Sequence, residues 1–389
     1  MPARLLDVLI ITRQFVVMLW VATGLVAVIA VQSWRHRGRF GAAVASVMTL
    51  VLVVVSLGAA VNAHYQYLPR LADVVNVPTW PTASDRVVTP LSRLQVRGAA
   101  GTGQASMTAA STSTAGSTAT STVRPARGRY PQGVVVNVDL PGPQSHFGTR
   151  QAFVYLPPQY FTEPGRRFPV VYLVHGSPGA PVDWFRAARA AQAGLAVAQH
   201  GHPVLLVAPR ASRYWTDDSE CVDGPHGNVQ TYLAVDVPNA VDSLFRTLPG
   251  REHRGIAGNS AGGFCALNVG LHNRATFGVL LDLSGFDRPT YSGGLAKLYG
   301  PTRDLGERAA ADTPAQYAAG LPSRPQAHIW LDYGRADVEA RHDEQAMAVL
   351  LRARDQDVTI RERPGGHEYG VWRPALRESL QWAAPLLAG

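Results

Sequence analysis

The chain has 389 residues, of which 46% are hydrophobic and 16% are charged, with 37 glycines and 28 prolines. These proportions exclude a disordered chain, a small disulfide scaffold and a polytopic transporter, and they fit one ordinary domain with added segments. The formal net charge is +8, but Lys297 is the single lysine and the arginines are scattered among acids. Because nucleic-acid-binding proteins usually gather cations and aromatic residues in a stripe, this charge indicates no nucleic-acid partner.

Two apolar segments lie near the N-terminus, at residues 14–34 and 40–62. Neither contains a charged side chain, and each has the roughly 20 residues that a helix needs to cross a bilayer. A signal peptide is the alternative for the first segment, but its length and the second segment close behind it favour two spanning helices. We therefore predict that residues 1–63 form a membrane anchor with two transmembrane helices.

The loop between these segments predicts their orientation, because residues 35–39 read Arg-His-Arg-Gly-Arg. Short arginine-rich loops stay in the cytoplasm, which would place both chain ends outside. Arg4 and Arg13, partly offset by Asp7, oppose this orientation with fewer charges. We predict a multi-pass protein of the cell membrane with an extracytoplasmic C-terminal domain.

Residues 64–128 show no sustained periodicity, and residues 102–122 contain 12 serines and threonines among 21 residues. Such a segment buries too little apolar surface to offset its ordering entropy. We predict a flexible linker, open to O-glycosylation if it lies outside the cell. The remainder, residues 129–389, is large enough for one core.

Short β-branched segments alternate with helical stretches in this remainder. The segments lie at residues 133–140, 152–156, 169–174, 203–208, 255–258, 277–283, 329–333 and 358–361. Between them, residues such as Leu233, Val237 and Val241 are spaced to share one helix face. The alternation predicts an α/β fold with a mostly parallel central sheet and helices on both faces. Ligands of such sheets bind beyond the carboxyl ends of the strands.

A candidate nucleophile follows the fifth predicted strand, where residues 256–263 read Ile-Ala-Gly-Asn-Ser-Ala-Gly-Gly. This is G-x-S-x-G between a strand and a helix, the context in which the pattern marks a nucleophile. The sharp turn lifts the Ser260 hydroxyl from the sheet, and Gly258 and Gly262 leave room for neighbouring backbone. The alternative is that Ser260 only caps the helix.

A nucleophilic serine needs a base, and His367 lies in a glycine-rich loop after the last predicted strand, where that base belongs. His328 at a strand start and His342 in a charged helical stretch are the other histidines past residue 300, and we expect structural or solvated roles for both. A surface-loop histidine is the alternative for His367.

The carboxylate that orients the base should follow the strand at residues 329–333. Asp337 lies in the loop beyond that strand, whereas Asp332 lies within it and would need a polar partner of its own. Glu339 is a third choice. The order Ser260, Asp337, His367 is the chain order of an α/β-hydrolase.

An oxyanion hole needs two backbone N–H groups, one after the nucleophile and one from the loop after the third strand. Ala261 supplies the first, and Ser177 the second, because Pro178 has no N–H. His175 has no His or Cys companion at ligand spacing, so we expect a structural role and no metal site.

The loop at residues 214–221 reads Tyr-Trp-Thr-Asp-Asp-Ser-Glu-Cys and should overlook the same cleft. Trp215 and Asp217 either line a substrate pocket or belong to a capped surface turn. Cys221 and Cys265 are the two cysteines. An extracytoplasmic domain would allow them to pair, whereas a cytoplasmic domain would leave two thiols.

Over about residues 130–389, the chain resembles the esterase D and antigen 85 branch of the α/β-hydrolases, called putative esterases, which includes mycolyltransferases, feruloyl esterases and S-formylglutathione hydrolases. The motifs that carry the resemblance are residues 173–179 with Asp183-Trp184, Asp236-Val237-Pro238, residues 258–263, residues 333–337, and Gly366-His367-Glu368 with Trp372. The resemblance implies the same nucleophile, acid, base and oxyanion groups that the residues themselves indicate.

We therefore predict a membrane-anchored, extracytoplasmic serine esterase that needs no cofactor and in which water resolves an acyl-enzyme on Ser260. One alternative is a mycolyltransferase-like acyltransferase that uses an envelope sugar or lipid hydroxyl as acceptor. Another is an inactive binding module on the same fold. The anchor indicates an ester substrate at the membrane or in the wall, such as an envelope lipid, because tethering raises local concentration there.

Overall fold

The C-terminal domain is built on an eight-stranded sheet in this computed structural model, which describes residues 9–36, 38–74 and 130–389. The strands are β1 (Val134–Leu140), β2 (Arg150–Leu156), β3 (Val170–Val174), β4 (Leu205–Pro209), β5 (Arg254–Asn259), β6 (Val279–Leu283), β7 (His328–Gly334) and β8 (Asp357–Arg363). All eight predicted strands are present. The serine- and threonine-rich stretch at residues 102–122 lies outside the described residues.

The strand order is β1-β2-β4-β3-β5-β6-β7-β8. Strand β2 runs antiparallel to β1 and β4, and the other neighbours pair in parallel, so the prediction of a mostly parallel sheet is confirmed. Every residue of β3, β4 and β6 is buried, because helices cover both faces of these strands. Because β5, β6, β7 and β8 run parallel, the loops that follow β5, β7 and β8 lie at the same edge of the sheet.

Helices connect the strands and precede them. They are α1 (Arg13–His36), α2 (Gly38–Tyr65), α3 (Leu71–Val74), α4 (Gln159–Thr162), α5 (Asp183–Arg186), α6 (Ala190–Gln199), α7 (Val229–Thr231), α8 (Val237–Leu244), α9 (Ala261–His272), α10 (Leu295–Tyr299), α11 (Leu305–Ala311), α12 (Pro314–Tyr317), α13 (Val338–Arg352) and α14 (Tyr369–Ala388). A π-helical stretch, Tyr232–Asp236, joins α7 to α8, and a short hairpin pairs Asp223–Gly224 with Gly227–Asn228.

Two hydrophobic clusters occupy the two faces of the sheet. On one face, Val241 of α8, Leu267 of α9 and Met347 of α13 pack against the strands. On the other face, Ala193 of α6 and Leu380 of α14 belong to the second cluster. Both faces are thus closed by apolar helix surfaces, so the functional groups are left to the strand ends.

Helices α1 and α2 pack against each other, with a hydrogen bond between Thr23 Oγ1 and Ser56 Oγ of 2.9 Å in their shared interface. Segments of 22 and 26 residues within them are long and apolar enough to cross a membrane. Most of their large apolar side chains face outward, as for Leu25 and Val51. Their orientation stays a prediction, because the side chains of residues 35–39 lie outside the described part of the chain.

A juxtamembrane segment, residues 66–73, follows α2 and packs on the C-terminal domain, although it belongs to the region predicted as linker. Gln66 Nε2 donates to Glu368 Oε2 at 3.4 Å. The Tyr67 hydroxyl donates to the buried carboxylate of Asp183, the first residue of α5. This segment therefore joins α2 to the C-terminal domain by side-chain contacts, and the limits of the linker stay a prediction.

Candidate active site

Ser260 occupies a strained turn between β5 and α9. Its φ of 58° and ψ of −129° place a non-glycine residue in a region that side chains rarely adopt. A Cβ at Gly258 would lie 1.7 Å from Gly262 O, and one at Gly262 would lie 2.2 Å from Val174 O. Both glycines are thus required by backbone contacts, as the G-x-S-x-G pattern predicts.

A continuous hydrogen-bond relay joins three side chains that are far apart in the sequence. His367 Nε2 lies 2.7 Å from Ser260 Oγ, and His367 Nδ1 lies 2.6 Å from Asp337 Oδ2. The Asp337 side chain is 7% exposed and the His367 side chain 33% exposed. The relay is therefore sheltered at its acid end and open to a substrate at its hydroxyl end.

Local packing holds the His367 ring in place. The indole of Trp372 meets the imidazole edge-on at 4.9 Å between centroids, and Phe286 stacks near it at 6.0 Å. A Cβ at Gly334, the last residue of β7, would lie 2.6 Å from Gly366 O, so this strand end and the histidine loop pack backbone to backbone. This contact places the loop after β7 beside the loop after β8.

The other candidate acids have different partners. Asp332 is completely buried and accepts hydrogen bonds from Arg363 at 2.7 Å and from Trp330 Nε1 at 3.1 Å. This is the separate polar partner that a carboxylate within the strand requires. Glu339 lies 3.3 Å from Arg288. Among the described residues, Asp337 is the carboxylate that reaches His367.

The remaining histidines considered from the sequence lie away from the relay. His328 Nδ1 is 2.7 Å from Asp357 at the start of β7, and the His342 side chain is 79% exposed. His175 is buried: Nδ1 donates to Gly176 O at 2.9 Å, while Nε2 accepts from the Ala211 N–H at 3.2 Å. Burial lowers the pKa of His175 to about 4, so its imidazole is neutral and structural.

The proposed oxyanion groups lie on the two sides of the nucleophile. Ala261 is the first residue of α9, so its N–H has no acceptor within the helix. A Cβ at Gly176 would lie 3.3 Å from Ser260 Cβ, which brings the loop containing Ser177 against the nucleophile. The assignment of Ser177 and Ala261 to the oxyanion hole stays a prediction.

The loop at residues 214–221 contacts the Ser177 loop, since the Gly179 N–H donates to Trp215 O at 3.0 Å. The Trp215 side chain is 52% exposed. Asp217 is engaged by Arg213 at 3.1 Å and by His226 at 2.8 Å. The role of Asp217 in substrate binding stays a prediction. A substrate that bound its carboxylate would have to compete with the existing ion pair.

The Cys221 and Cys265 sulfurs are joined in a disulfide that links this loop to α9, with Cα atoms 5.4 Å apart. Next to it, Glu220 accepts from the Thr290 N–H at 2.7 Å and from its hydroxyl at 3.1 Å. Burial, with Asp218 as a second cause, raises the pKa of Glu220 to about 8. The loop behind the cleft is thus fixed by covalent and polar contacts together.

Sequence reasoning did not find a second group of buried carboxyls beneath the nucleophile helix. A Cβ at Gly263 would lie 2.2 Å from Asp282 Oδ1, so this carboxyl of β6 lies directly under α9. Glu344 of α13 accepts from the Gly285 N–H at 3.2 Å. Burial raises the pKa of Asp282 to about 8, with nearby Asp343 adding to the effect. No local pattern distinguishes these acids from surface acids.

No group of three or more His, Cys, Asp or Glu side chains suited to a metal ion occurs in the described ranges.

The strand order, the G-x-S-x-G turn at the end of β5 and the loops after β7 and β8 define an α/β-hydrolase fold. The chain belongs to the family described as Putative esterase, whose sequence pattern matches residues 146–383.

Similar proteins agree with this classification. An uncharacterized protein of Corynebacterium glutamicum is 27% identical over 267 residues, which are 65% of this chain and 62% of that protein. The match thus spans less than two thirds of the relative's length.

A solved ferulic acid esterase is 20% identical with a TM-score of 0.56, over 65% of this chain and 98% of its own. A fluorophosphonate-binding serine hydrolase of Staphylococcus aureus is 16% identical with a TM-score of 0.53, over 65% and 98%. The two solved structures show that the fold is shared.

Proposed function

We propose that this protein is a membrane-anchored, extracytoplasmic serine esterase that hydrolyses a carboxylic ester through an acyl-enzyme on Ser260. The observation that carries the proposal is the relay from Ser260 Oγ through His367 to Asp337, with contacts of 2.7 and 2.6 Å. Such a relay activates a hydroxyl that is otherwise a weak nucleophile at neutral pH.

In the first half of the reaction, Ser260 Oγ attacks the ester carbonyl while His367 Nε2 accepts its proton. The carbonyl oxygen becomes negatively charged and is stabilised by the N–H groups of Ser177 and Ala261. His367 then donates the proton to the departing alcohol, and the acyl group stays on Ser260. In the second half, His367 removes a proton from water as the water oxygen attacks the acyl carbonyl, and His367 then returns the proton to Ser260 Oγ as the carboxylic acid leaves.

Asp337 acts on the imidazole. Its carboxylate accepts the Nδ1 hydrogen, so Nε2 faces Ser260 as the acceptor, and it stabilises the imidazolium that forms when the proton arrives. The 7% exposure of the Asp337 side chain strengthens this interaction, because water screens it only weakly.

Three features support the proposed location. Helices α1 and α2 are long and apolar enough to span a membrane, and the arginine-rich residues 35–39 between them favour the cytoplasmic side. The Cys221–Cys265 disulfide fits an oxidising compartment outside the cytoplasm.

The catalytic proposal is tested by turnover of nitrophenyl esters, from acetyl to palmitoyl, with the full chain in detergent. We expect Ser260→Ala and His367→Ala each to remove nearly all turnover, by about four orders of magnitude or more. Ser292→Ala, at an exposed serine of the same domain, is the matched control and should keep full activity.

A fluorophosphonate probe separates the outcomes if no ester is hydrolysed. Labelling of the wild-type chain but not of Ser260→Ala would favour an acyltransferase with an exacting acyl donor or acceptor. Absence of labelling would overturn the nucleophile and leave an inactive binding module.

The location is tested by placing a cysteine at Ser111 and labelling intact cells with a membrane-impermeant maleimide. Because the two native cysteines are paired, the added thiol is the reactive one. Labelling only after permeabilisation would overturn the extracytoplasmic assignment.

A further inference from the structure

A cavity of about 590 Å³ lies outside the relay, between the juxtamembrane segment, helix α6 and helix α14. Four arginines line it: Arg70 from the juxtamembrane segment, Arg189 before α6, and Arg373 and Arg377 from α14. The last two are four residues apart and therefore lie on one face of their helix. The cavity thus gathers four cations that are widely separated in the sequence.

Among the described residues, acids lie close to two of these arginines. Asp73 forms an ion pair with Arg189 at 3.1 Å, and Glu368 near Arg373 accepts from Gln66. In the described part of the chain, the exposed guanidinium of Arg377 has no hydrogen-bond or ion-pair partner. Among the described residues, Arg373 and Arg377 form no ion pair, and these two positive charges on one wall of the cavity favour a bound anion.

Arg373 is held in a fixed position on the cavity wall. Its Nε donates to Ala187 O at 2.5 Å and its Nη2 donates to Gln66 O at 2.5 Å. Burial, and then the neighbouring Arg189, lower the pKa of Arg373 to about 10. A guanidinium has five N–H donors, so these two bonds orient it and leave donors for a ligand.

The cavity lies at the end of the membrane anchor. Helix α2 ends at Tyr65, and Arg70 follows within five residues. The chain just before α1 reaches the same place, because the Ile10 N–H donates to Pro69 O at 3.1 Å and Leu9 pairs with Arg70. Both spanning helices therefore meet the membrane surface beside the cavity.

We propose that this cavity binds the phosphate group of a membrane phospholipid. Arginines bind phosphate through paired N–H contacts, and a phosphate offers several oxygens to guanidinium groups that approach from different elements. The position at the helix ends selects a lipid over a soluble phosphate, because a headgroup of the bilayer lies at that level. The site rests on the membrane topology of α1 and α2 and is independent of the reaction at Ser260.

The test uses the full chain with Ser260→Ala in dodecyl maltoside, so that no lipid is hydrolysed. Native mass spectrometry measures the fraction that retains dioctanoyl phosphatidylglycerol, with dioctanoylglycerol as the matched lipid without phosphate and inorganic phosphate as the soluble anion. We expect phosphatidylglycerol to bind and dioctanoylglycerol to be lost. Arg377→Gln should weaken phosphatidylglycerol binding about tenfold, because it removes a charged donor from the cavity.

Arg303→Gln, at an exposed arginine outside the cavity, is the control and should bind as the parent does. A second variant, Arg70→Gln, approaches the cavity from another element and should weaken binding in the same direction. Equal retention of the two lipids, or equal binding by the Arg377 and Arg303 variants, would overturn the site. Displacement of the lipid by millimolar inorganic phosphate would overturn the lipid assignment in favour of a soluble phosphate.

Discussion

Strand β7 and the loop after it each present a buried aspartate, five residues apart, and the two do different work. Asp332 within the strand is bound by Arg363 and Trp330, so its oxygens are occupied by fixed partners. Asp337 in the loop contacts His367 at 2.6 Å and lies at the edge of the cleft. Asp332 inside the sheet is thus held by fixed partners, whereas Asp337 past the strand end is the carboxylate that we propose takes part in the reaction.

The same contrast extends to neighbouring acids. Asp282 lies inside β6 beneath the nucleophile helix, and Asp183 begins α5 and accepts from Tyr67 and from the Ala180 N–H. Neither contacts the relay. Variants at these four positions should therefore separate effects on turnover from effects on folding.

Asp337→Asn should give the largest effect, a loss of turnover of up to about four orders of magnitude, because asparagine favours the wrong tautomer of His367. Folding should change little, since asparagine has nearly the same shape and the Asp337 side chain makes no capping hydrogen bond with α13. Ester turnover and thermal unfolding of the full chain check both points. Glu339→Gln, two residues along, is the control. Near-normal turnover in Asp337→Asn would assign the acid elsewhere.

Asp332→Asn should reverse the pattern, with turnover within about threefold of wild type and a loss of about 3 kcal/mol of stability, because the buried Arg363 loses its buried carboxylate partner and keeps only the more exposed Glu378 as counter-charge. The thermal midpoint should fall by roughly 6–12 °C. Asp357→Asn, which breaks the exposed pair with His328, is the control and should lower the thermal midpoint far less. If turnover collapsed in Asp332→Asn while the fold persisted, the division between strand and loop acids would be wrong.

Asp282 gives a dependence of stability on pH. Its pKa is about 8 in the folded chain, mainly because of burial, against about 4 when unfolded. Between these values the folded state keeps a proton that the unfolded state has released. The contribution of Asp282 to the free energy of unfolding is therefore fully present below pH 4. It is lost as the pH rises toward 8, with a slope of up to about 1.4 kcal/mol per pH unit.

Asp282→Asn should flatten this dependence. Denaturant unfolding between pH 5 and pH 8 would measure the slope in wild type and variant. Part of the slope should persist, because burial also raises the pKa of Glu344. Parallel pH profiles for the two chains would show that Asp282 does not titrate in this way.

Tyr67→Phe should give the smallest effect and extends the comparison to Asp183. Burial, and next Asp183, raise the pKa of Tyr67, so its hydroxyl is a permanent donor to that carboxylate. The Asp183 carboxylate also accepts from the Ala180 N–H at 2.7 Å, close to the Ser177 loop. Removing the hydroxyl should lower kcat about threefold to tenfold with little change in KM, since one buried acceptor loses its donor. Tyr65→Phe is the control, and an equal effect there would deny Tyr67 a positioning role.

Much of the fold could be predicted because several central strands are buried on both faces. Strands β3, β4 and β6 are continuous apolar runs, which single them out without any knowledge of their partners. The strand order and the π-helical Tyr232–Asp236 could not be predicted, because both depend on packing between distant segments.

The candidate site also contains residues that the sequence predicts and residues that it does not. Ser260 and His367 stand in local patterns of glycines at strand ends, so sequence alone points to them. Tyr67 has no such pattern, since its partner Asp183 is 116 residues away. The arginine cavity could not be predicted from the sequence either, because its arginines come from separate segments that only the fold brings together.

The docked juxtamembrane segment has a kinetic consequence on the proposed topology. One residue past the end of α2, Gln66 contacts the residue that follows His367, so the histidine loop works at nearly constant height above the bilayer. An ester in that bilayer would be met by lateral diffusion in two dimensions. The rate should then follow the mole fraction of the ester in the surface and fall when inert lipid is added at constant bulk concentration.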